Sequence, residues 1–158
     1  MTENDPFKID QEDHIAWLTL NRPEKRNAMG FRFFEALARH FAEFDSNPEI
    51  RVVAIKAEGK SFTAGTDLKE AASMISSGAA DERDLLRMKI AKLQSGITAV
   101  EQYRKPVIAA IHSHCIGGGV DLISACDIRL AAADTIFSIR ETRMGIIADL
   151  GTLQRLPY

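Results

Sequence analysis

Short apolar segments alternate with amphipathic segments along most of this chain, and this alternation sets the strongest limit on its fold. Residues 51–56 and 107–111 are nearly continuous apolar runs, as expected for strands that are covered on both faces of a sheet. Apolar residues recur at helical spacing near residues 29–45 and again from Leu86 through Tyr103. Strands that alternate with helices predict an α/β fold in which helices connect parallel strands.

Further elements follow from the same patterns. Partial alternation predicts a strand over residues 14–20, and short strands are expected at residues 127–131 and 136–139. A short helix is expected between the glycines at 117–119 and about residue 125, and Asn27 lies where it could cap the helix near 29–45. We find no separate linker and no low-complexity tract, so residues 1–158 are predicted to form one domain.

Composition excludes several classes of function. The 158 residues are 46% hydrophobic and 27% charged, and 20 basic against 22 acidic residues give a net charge of −2. This balance predicts neither a nucleic-acid partner nor a membrane surface. Cys115 and Cys126 lack the spacing of a disulfide framework or a metal site. The first five residues do not resemble a signal or transit peptide, and we expect a cytoplasmic protein.

Two glycine loops each follow an apolar strand and are the first candidates for chemistry. One loop contains Gly65, and the other is the run from 117 to 119 at the start of a predicted helix. Backbone N–H groups at a helix start are unpaired and lie at the positive end of the helix dipole. Two such donors aimed at one point stabilise an enolate or a tetrahedral oxygen. Each loop alone is a weak signal and fits a structural turn better, because glycine turns are common.

Other glycine and histidine motifs are missing from the sequence. The glycine run lacks the Lys-Ser/Thr of a P-loop, and it does not fit the G-x-G-x-x-G pattern of dinucleotide sites. The chain has no G-x-S-x-G elbow, which disfavours a serine hydrolase. Its four histidines form no H-E-x-x-H pattern, and no metal ligands are predicted.

Three carboxylates are candidates for proton transfer: Asp121, Glu141 and Asp149. Asp121 follows the glycine run, and Asp149 lies among apolar residues, where burial would raise its pKa. Each also has a structural interpretation. Asp121 suits the first turn of a helix, and Glu141 suits a surface pair with Arg140.

Five segments carry a common pattern: LNRPEKRNAM (20–29), SFTAGTDL (61–68), KPVIAA (105–110), CIGGGVD (115–121) and GTLQRLP (151–157). Together, and in this order along the chain, they resemble the enoyl-CoA hydratase/isomerase (crotonase) superfamily. The resemblance implies a crotonase-like ββα spiral that binds acyl-CoA thioesters as substrates, needs no cofactor, and assembles as a homotrimer or hexamer. It also implies that the chain stops before a C-terminal helical trimerisation region.

The resemblance also assigns roles to residues. It implies that the backbone N–H groups of Thr66 and Gly118 form an oxyanion hole for the thioester oxygen. Lys25, Arg26 and Lys69 become candidate contacts to the CoA phosphates or the pantetheine entrance. The rest of the implied substrate-binding set is Ala28, Ala64, Gly65, Asp67, Leu68 and Gly119.

Within the superfamily, the three carboxylates resemble those of dienoyl-CoA isomerases. This similarity implies that double bonds of a 3,5-dienoyl-CoA are moved to give a 2,4-dienoyl-CoA in fatty acid β-oxidation. Glu141 is expected to act at C2 and Asp149 at C6, while Asp121 orients or tunes the site. The alternatives are an enoyl-CoA hydratase, which would carry Glu at position 121, and a CoA-binding or assembly protein without catalysis.

Overall fold

Strands and helices alternate along the chain as the apolar pattern predicts. The structure is a computed structural model, and it describes residues 5–74 and 79–157. The predicted domain over 1–158 therefore includes short stretches, 1–4, 75–78 and 158, that lie outside the described residues. The strands are β1 (Phe7–Glu12), β2 (Ile15–Leu20), β3 (Val52–Ala57), β4 (Val107–Ile111), β5 (His114–Ile116), β6 (Ile128–Ala131) and β7 (Ile136–Ser138). The helices are α1 (Phe31–Ser46), α2 (Leu68–Ala72), α3 (Ala80–Glu101), α4 (Gly118–Ser124), α5 (Glu141–Met144) and α6 (Thr152–Arg155).

The main sheet has five strands in the order β1-β2-β3-β4-β6. Strands β1 and β2 form an antiparallel hairpin, whereas β2, β3, β4 and β6 are parallel. A second sheet pairs β5 with β7 in parallel. Because β3 and β4 are adjacent and parallel, the loops that follow them leave the same edge of the sheet.

Helix α1 supplies much of the core. Phe33, Phe34, Leu37, Phe41 and Phe44 are buried on one face of the helix, at the spacing that the sequence predicts. The helix begins later than predicted, and the prediction that Asn27 caps it is wrong. Gly30 is the N-cap residue. The buried Asn27 side chain instead accepts a hydrogen bond from the Arg22 N–H and donates to backbone carbonyls of a distant loop.

The two long helices α1 and α3 approach closely at a glycine. Gly96 lies on α3, and a Cβ built on it would be 2.6 Å from the Phe34 carbonyl oxygen and 3.0 Å from the Phe34 Cα. Helix α3 has buried residues only from Leu93 onwards. Its contact with α1 therefore depends on the C-terminal half of α3 and on the absence of a side chain at position 96.

Gly96→Ala is expected to destabilise the protein by about 1–3 kcal/mol, because the new methyl group would overlap the α1 backbone. On an exposed helix the same change stabilises by about 1 kcal/mol, so the sign distinguishes the two situations. Urea unfolding measures the difference. Ser95→Ala, at the exposed neighbour, is the control and should change the stability by less than about 0.5 kcal/mol. A Gly96→Ala protein at least as stable as the parent would contradict the close contact.

Candidate active site

The two glycine loops predicted from the sequence meet at one edge of the sheet. A Cβ built on Gly65 would be 2.6 Å from the Ile116 carbonyl oxygen and 3.5 Å from the Gly118 nitrogen. A Cβ built on Gly118 would be 2.7 Å from the Thr66 Oγ1 and 3.6 Å from the Thr66 nitrogen. At Gly65 the closest atom is a backbone oxygen and φ is +89°, so a side chain is excluded there. At Gly118 the closest atoms belong to the side chains of Thr66 and Met29, which would have to move to admit a Cβ.

The backbone N–H of Thr66 points away from Met29, the residue beside it in a β-bridge. Thr66 forms a parallel bridge with Met29, in which the Met29 N–H donates to the Gly65 oxygen at 2.8 Å and the Asp67 N–H donates to the Met29 oxygen at 2.9 Å. In this pattern the flanking residues make the hydrogen bonds, and the N–H of Thr66 has no acceptor among the described residues.

Gly118 presents a second free amide. Gly117 has φ +50° and ψ −123°, and its N–H donates to the Ser138 oxygen at 2.8 Å. This conformation turns the chain into α4, whose first residue is Gly118. The Gly118 N–H lies in the first turn, where no intrahelical acceptor exists, and it has no other acceptor within residues 5–74 and 79–157.

A cavity of about 510 Å³ opens beside these two amides. Thr66, Gly118, Glu141 and Asp149 all line it. Helices α2 and α3 and the segment around α5 supply most of the remaining wall, which is mainly apolar. The large apolar side chains are Phe31, Leu68, Met74, Leu86, Ile90, Leu93, Ile116, Met144, Ile146 and Leu150. A cavity with this lining suits an extended hydrocarbon group next to a polar end.

Glu141 is the first residue of α5, and its carboxylate lies against the second glycine loop. A Cβ on Gly117 would be 3.1 Å from Glu141 Oε1, and Glu141 Oε2 is buried without a hydrogen-bond partner in the part of the chain that the structure describes. Burial raises the pKa of Glu141, and the negative charges of Asp121 and Asp149 raise it further. A carboxyl group in this setting is ready to hold a proton.

Asp149 lines the same cavity from the segment between α5 and α6. Its side chain is more open to solvent than that of Glu141. Partial burial raises the pKa of Asp149, and the charge of Asp121 adds to the effect. Two carboxyl groups with raised pKa values therefore border one apolar cavity, as expected where one group takes a proton and another delivers one.

Asp121 lies behind the cavity wall. Its side chain is 1% exposed, and Oδ1 accepts hydrogen bonds from the Thr152 backbone N–H at 2.7 Å and from Thr152 Oγ1 at 2.6 Å. Asp121 on α4 thus accepts hydrogen bonds from both the backbone N–H and the hydroxyl of Thr152, the first residue of α6. The predicted role of Asp121 in orienting or tuning the site stays a prediction. The contact with Thr152 connects Asp121 to the segment that carries Asp149.

The predicted binding residues separate into three groups. Ala64, Gly65 and Leu68 line the cavity. Lys25 lines a different, polar cavity of about 550 Å³ together with Arg22 and Arg32.

The other predicted binding residues lie outside both cavities. Arg26 and Lys69 are exposed, and Ala28 is half-buried. Asp67 caps α2 by accepting from the Lys69 and Glu70 N–H groups. Gly119 is buried where a side chain would overlap Thr63.

Two residues that hold the site together were missed by the sequence analysis. Glu70 on α2 accepts a hydrogen bond from the Phe31 N–H at 2.7 Å, so it caps α1 from outside that helix. Thr63 is buried, donates through Oγ1 to the Asn27 oxygen at 2.7 Å, and forms a bridge with Cys115. Both contacts join segments far apart in sequence, and no local pattern signals them.

Within the described residues, no helix is long and apolar enough to cross a membrane. The same residues contain no group of three or more His, Cys, Asp or Glu side chains placed to hold a metal ion.

Known proteins resemble this chain over nearly its whole length. A family model described as enoyl-CoA hydratase/isomerase matches residues 10–158. The peroxisomal Delta(3,5)-Delta(2,4)-dienoyl-CoA isomerase of Arabidopsis thaliana is 48% identical over 151 residues, which cover 92% of this chain and 54% of that protein. The mitochondrial enzyme of the same name from Mus musculus is 47% identical over 150 residues, covering 92% and 46%. The chain therefore spans about half the length of the curated relatives it matches.

A more distant relative and a solved structure extend the comparison. Mevalonyl-coenzyme A hydratase sidH of Aspergillus fumigatus is 37% identical over 145 residues, covering 90% of this chain and 50% of that protein. A Thermobifida fusca YX protein in complex with acetoacetyl-CoA superposes with a TM-score of 0.82 at 30% identity, covering 96% of this chain and 60% of that one. These matches confirm the crotonase-like fold and the resemblance to dienoyl-CoA isomerases predicted from the sequence.

Thr152→Val is expected to destabilise the protein by about 1.5–3 kcal/mol, because it removes a buried donor to the charged Asp121 carboxylate while keeping the side-chain shape. Thermal or urea unfolding measures the loss. Thr142→Val, at an exposed threonine of α5, is the matched control and should change the stability by less than about 0.5 kcal/mol. Equal effects of the two substitutions would argue against the Asp121–Thr152 contact.

Glu141→Gln is expected to raise the melting temperature at pH 7. Because the pKa of Glu141 is raised in the folded protein, its contribution to stability is fully present below the pKa of an unfolded chain, about 4.3, and is lost as the pH rises through the raised value. The gain should therefore shrink towards pH 4. Glu24→Gln, on the exposed turn at Pro23–Lys25, controls for the loss of one negative charge. A lower melting temperature for Glu141→Gln at pH 7 would contradict this prediction.

Proposed function

The chain belongs to the enoyl-CoA hydratase/isomerase family, and from that premise we propose that its protein is a Δ3,5-Δ2,4-dienoyl-CoA isomerase of fatty acid β-oxidation. One observation carries this proposal. Glu141 and Asp149 border a single, mainly apolar cavity next to the two unpaired amides of Thr66 and Gly118. The names of the Arabidopsis and mouse relatives support the same activity.

The oxyanion hole in this proposal consists of the Thr66 and Gly118 N–H groups. The thioester oxygen of the substrate lies between them and accepts both hydrogen bonds. The charge on this oxygen grows as the enolate forms, so the two donors stabilise the transition state more than the ground state. Because both donors belong to the backbone, the side chain at position 66 is free to vary.

The reaction relocates one proton. Glu141 takes the proton from C2 of the 3,5-dienoyl thioester, and the electron pair of that C–H bond spreads through the thioester and the two double bonds to C6. Asp149, in its protonated form, gives a proton to C6, and the double bonds settle at C2 and C4. Atoms and electrons balance without a co-reactant. Each turnover leaves Glu141 with the proton and Asp149 without one, and proton exchange with water restores the carboxylate of Glu141 and the protonated form of Asp149 before the next turnover.

The raised pKa values fit this division of work. A carboxyl group that must deliver a proton has to hold it at the working pH, and partial burial favours the protonated form. Asp121 would contribute through its charge, which raises the pKa of both groups, and through its contact with Thr152. Lys25, Arg26 and Lys69 remain the proposed contacts to the phosphates or pantetheine of CoA.

An enoyl-CoA hydratase is the second candidate. The position of Glu141 and the similarity to mevalonyl-coenzyme A hydratase favour it. A hydratase needs two carboxyl groups around one water molecule, and the candidate second group, Asp121, is bound to Thr152 outside the cavity wall. This position favours the isomerase.

Assembly and location belong to the same proposal. We propose a homotrimer or hexamer, and the apolar side chains left exposed on β6 and β7 support a covered surface there: Ile128, Leu130, Ile136 and Phe137. The cytoplasmic location stays a prediction from the sequence, whereas the names of the Arabidopsis and mouse relatives assign those proteins to peroxisomes and mitochondria.

Asp149→Asn is expected to lower kcat for a 3,5-dienoyl-CoA by about 10²–10⁴-fold, because the proton donor at C6 is lost. The absorbance of the 2,4-dienoyl thioester follows the reaction, and Asp134→Asn, at an exposed turn, is the control. Faster hydration of crotonyl-CoA than isomerisation would instead identify a hydratase, and tight acyl-CoA binding without turnover would identify a binding protein. Full activity of Asp149→Asn would remove Asp149 from the mechanism.

A further inference from the structure

The segment that carries Asp149 has no regular secondary structure, and its main chain is held from outside by side chains. Gln94 on α3 donates through Nε2 to the Asp149 carbonyl oxygen at 2.7 Å. Arg155 on α6 donates through Nη1 to the Leu150 carbonyl oxygen at 3.1 Å. The carbonyls of Asp149 and Leu150 are outside any helix or strand, and each of them accepts a hydrogen bond from a side chain instead.

The second contact also leads back to α3. Arg155 Nη2 lies 2.6 Å from Glu101 Oε2, and only 13% of the Arg155 side chain is exposed. The hydrogen bond to Arg155 is the main cause of the lowered pKa of Glu101. Gln94 and Glu101 are seven residues apart, so they lie on the same face of α3, two turns from each other.

Gly151 makes this packing possible. It has φ +122°, and a Cβ there would overlap the Arg155 guanidinium group. The guanidinium therefore lies directly over the backbone that follows Asp149. The next residue, Thr152, is fixed separately by Asp121 on α4. The chain from Asp149 to Thr152 is consequently bound at three backbone groups, which are the carbonyls of Asp149 and Leu150 and the N–H of Thr152.

We propose that Gln94 and the Glu101–Arg155 ion pair are positioning residues for Asp149. They fix the peptide from which its side chain extends and so set where its carboxyl group lies in the cavity. The catalytic consequence rests on the proposed function, whereas the positioning itself does not. Gln94 suits this task because its amide is a neutral donor, so it holds the backbone without adding a charge that would lower the pKa of Asp149.

Helix α3, which carries Gln94 and Glu101, also forms part of the wall of the proposed substrate cavity. Leu86, Ile90 and Leu93 on the same helix line the apolar part of the cavity. An acyl chain that packs against these side chains contacts the helix that holds the Asp149 backbone. The fit of the chain beyond the reacting carbons would therefore affect kcat as well as binding.

Gln94→Met removes the donor and keeps the length of the side chain. We expect kcat for a 3,5-dienoyl-CoA to fall about tenfold or more, since small displacements of a reacting group are costly. KM should stay within about twofold, because the cavity wall is unchanged. Gln102→Met, at an exposed position at the C-terminal end of α3, is the matched control and should change neither constant. Glu101→Gln weakens the hold on Arg155 and should lower kcat less than Gln94→Met does.

Hydrogen exchange gives a second measurement that needs no turnover. In Gln94→Met the Thr152 backbone amide, which is hydrogen-bonded to Asp121, should exchange about tenfold faster than in the parent, while the amides of α1 and the central strands stay unchanged. Uniformly faster exchange over the whole protein would mean a general structural role and would overturn the proposal. Unchanged exchange and unchanged kcat would also overturn it. A parent protein without isomerase activity would refute the proposed function alone, and the exchange result would still decide the positioning.

Discussion

The contact between the backbones of the two glycine loops is the constraint on which the rest of the site depends. The first loop follows β3, and the second follows β4 and the short strand β5. Because β3 and β4 are adjacent and parallel, both segments leave the main sheet at the same edge. Without a side chain at Gly65 or Gly118, the main chain of each loop approaches the other closely enough to bring two unpaired N–H groups together. A Cβ at Gly65 would meet the Ile116 carbonyl and separate the loops, whereas a Cβ at Gly118 would displace the side chains of Thr66 and Met29 beside the two donors.

Much of the fold could be predicted from local pattern. The strands β2, β3 and β4 are apolar runs, and the phenylalanines of α1 repeat at helical spacing. The positions that are buried in these elements can therefore be recognised from the sequence. Strand β1 was not predicted because its sequence, FKIDQE, is mostly polar. It lies at the edge of the sheet, where a strand pairs with one neighbour only. Helix α3 begins at Ala80, earlier than predicted, because its first turns are exposed and carry no apolar repeat.

The candidate site also contains residues that the sequence identifies and residues that it does not. The glycine loops and the three acidic residues could be picked out by type and spacing, and the resemblance to a family supplied their roles. The partners of those residues could not be found in this way. Glu70 caps a helix 39 residues earlier in the chain, and Gln94 binds a carbonyl 55 residues later. A polar residue on a helix gives no local sign of such a contact, because only the tertiary fold brings the two groups together.

The acidic residues of the cavity act against stability, and the surrounding contacts offset this effect. Glu141 Oε2 is buried without a hydrogen-bond partner among the described residues, and burial disfavours the charged forms of Glu141 and Asp149. Such groups would otherwise turn towards water, and the irregular segment around Asp149 has little secondary structure to prevent it. The contacts from α3, α4 and α6 to Asp149, Leu150 and Thr152 satisfy that segment's backbone groups instead. The network of hydrogen bonds behind the cavity thus permits raised pKa values to persist within it, which is the property that proton transfer in an apolar site requires.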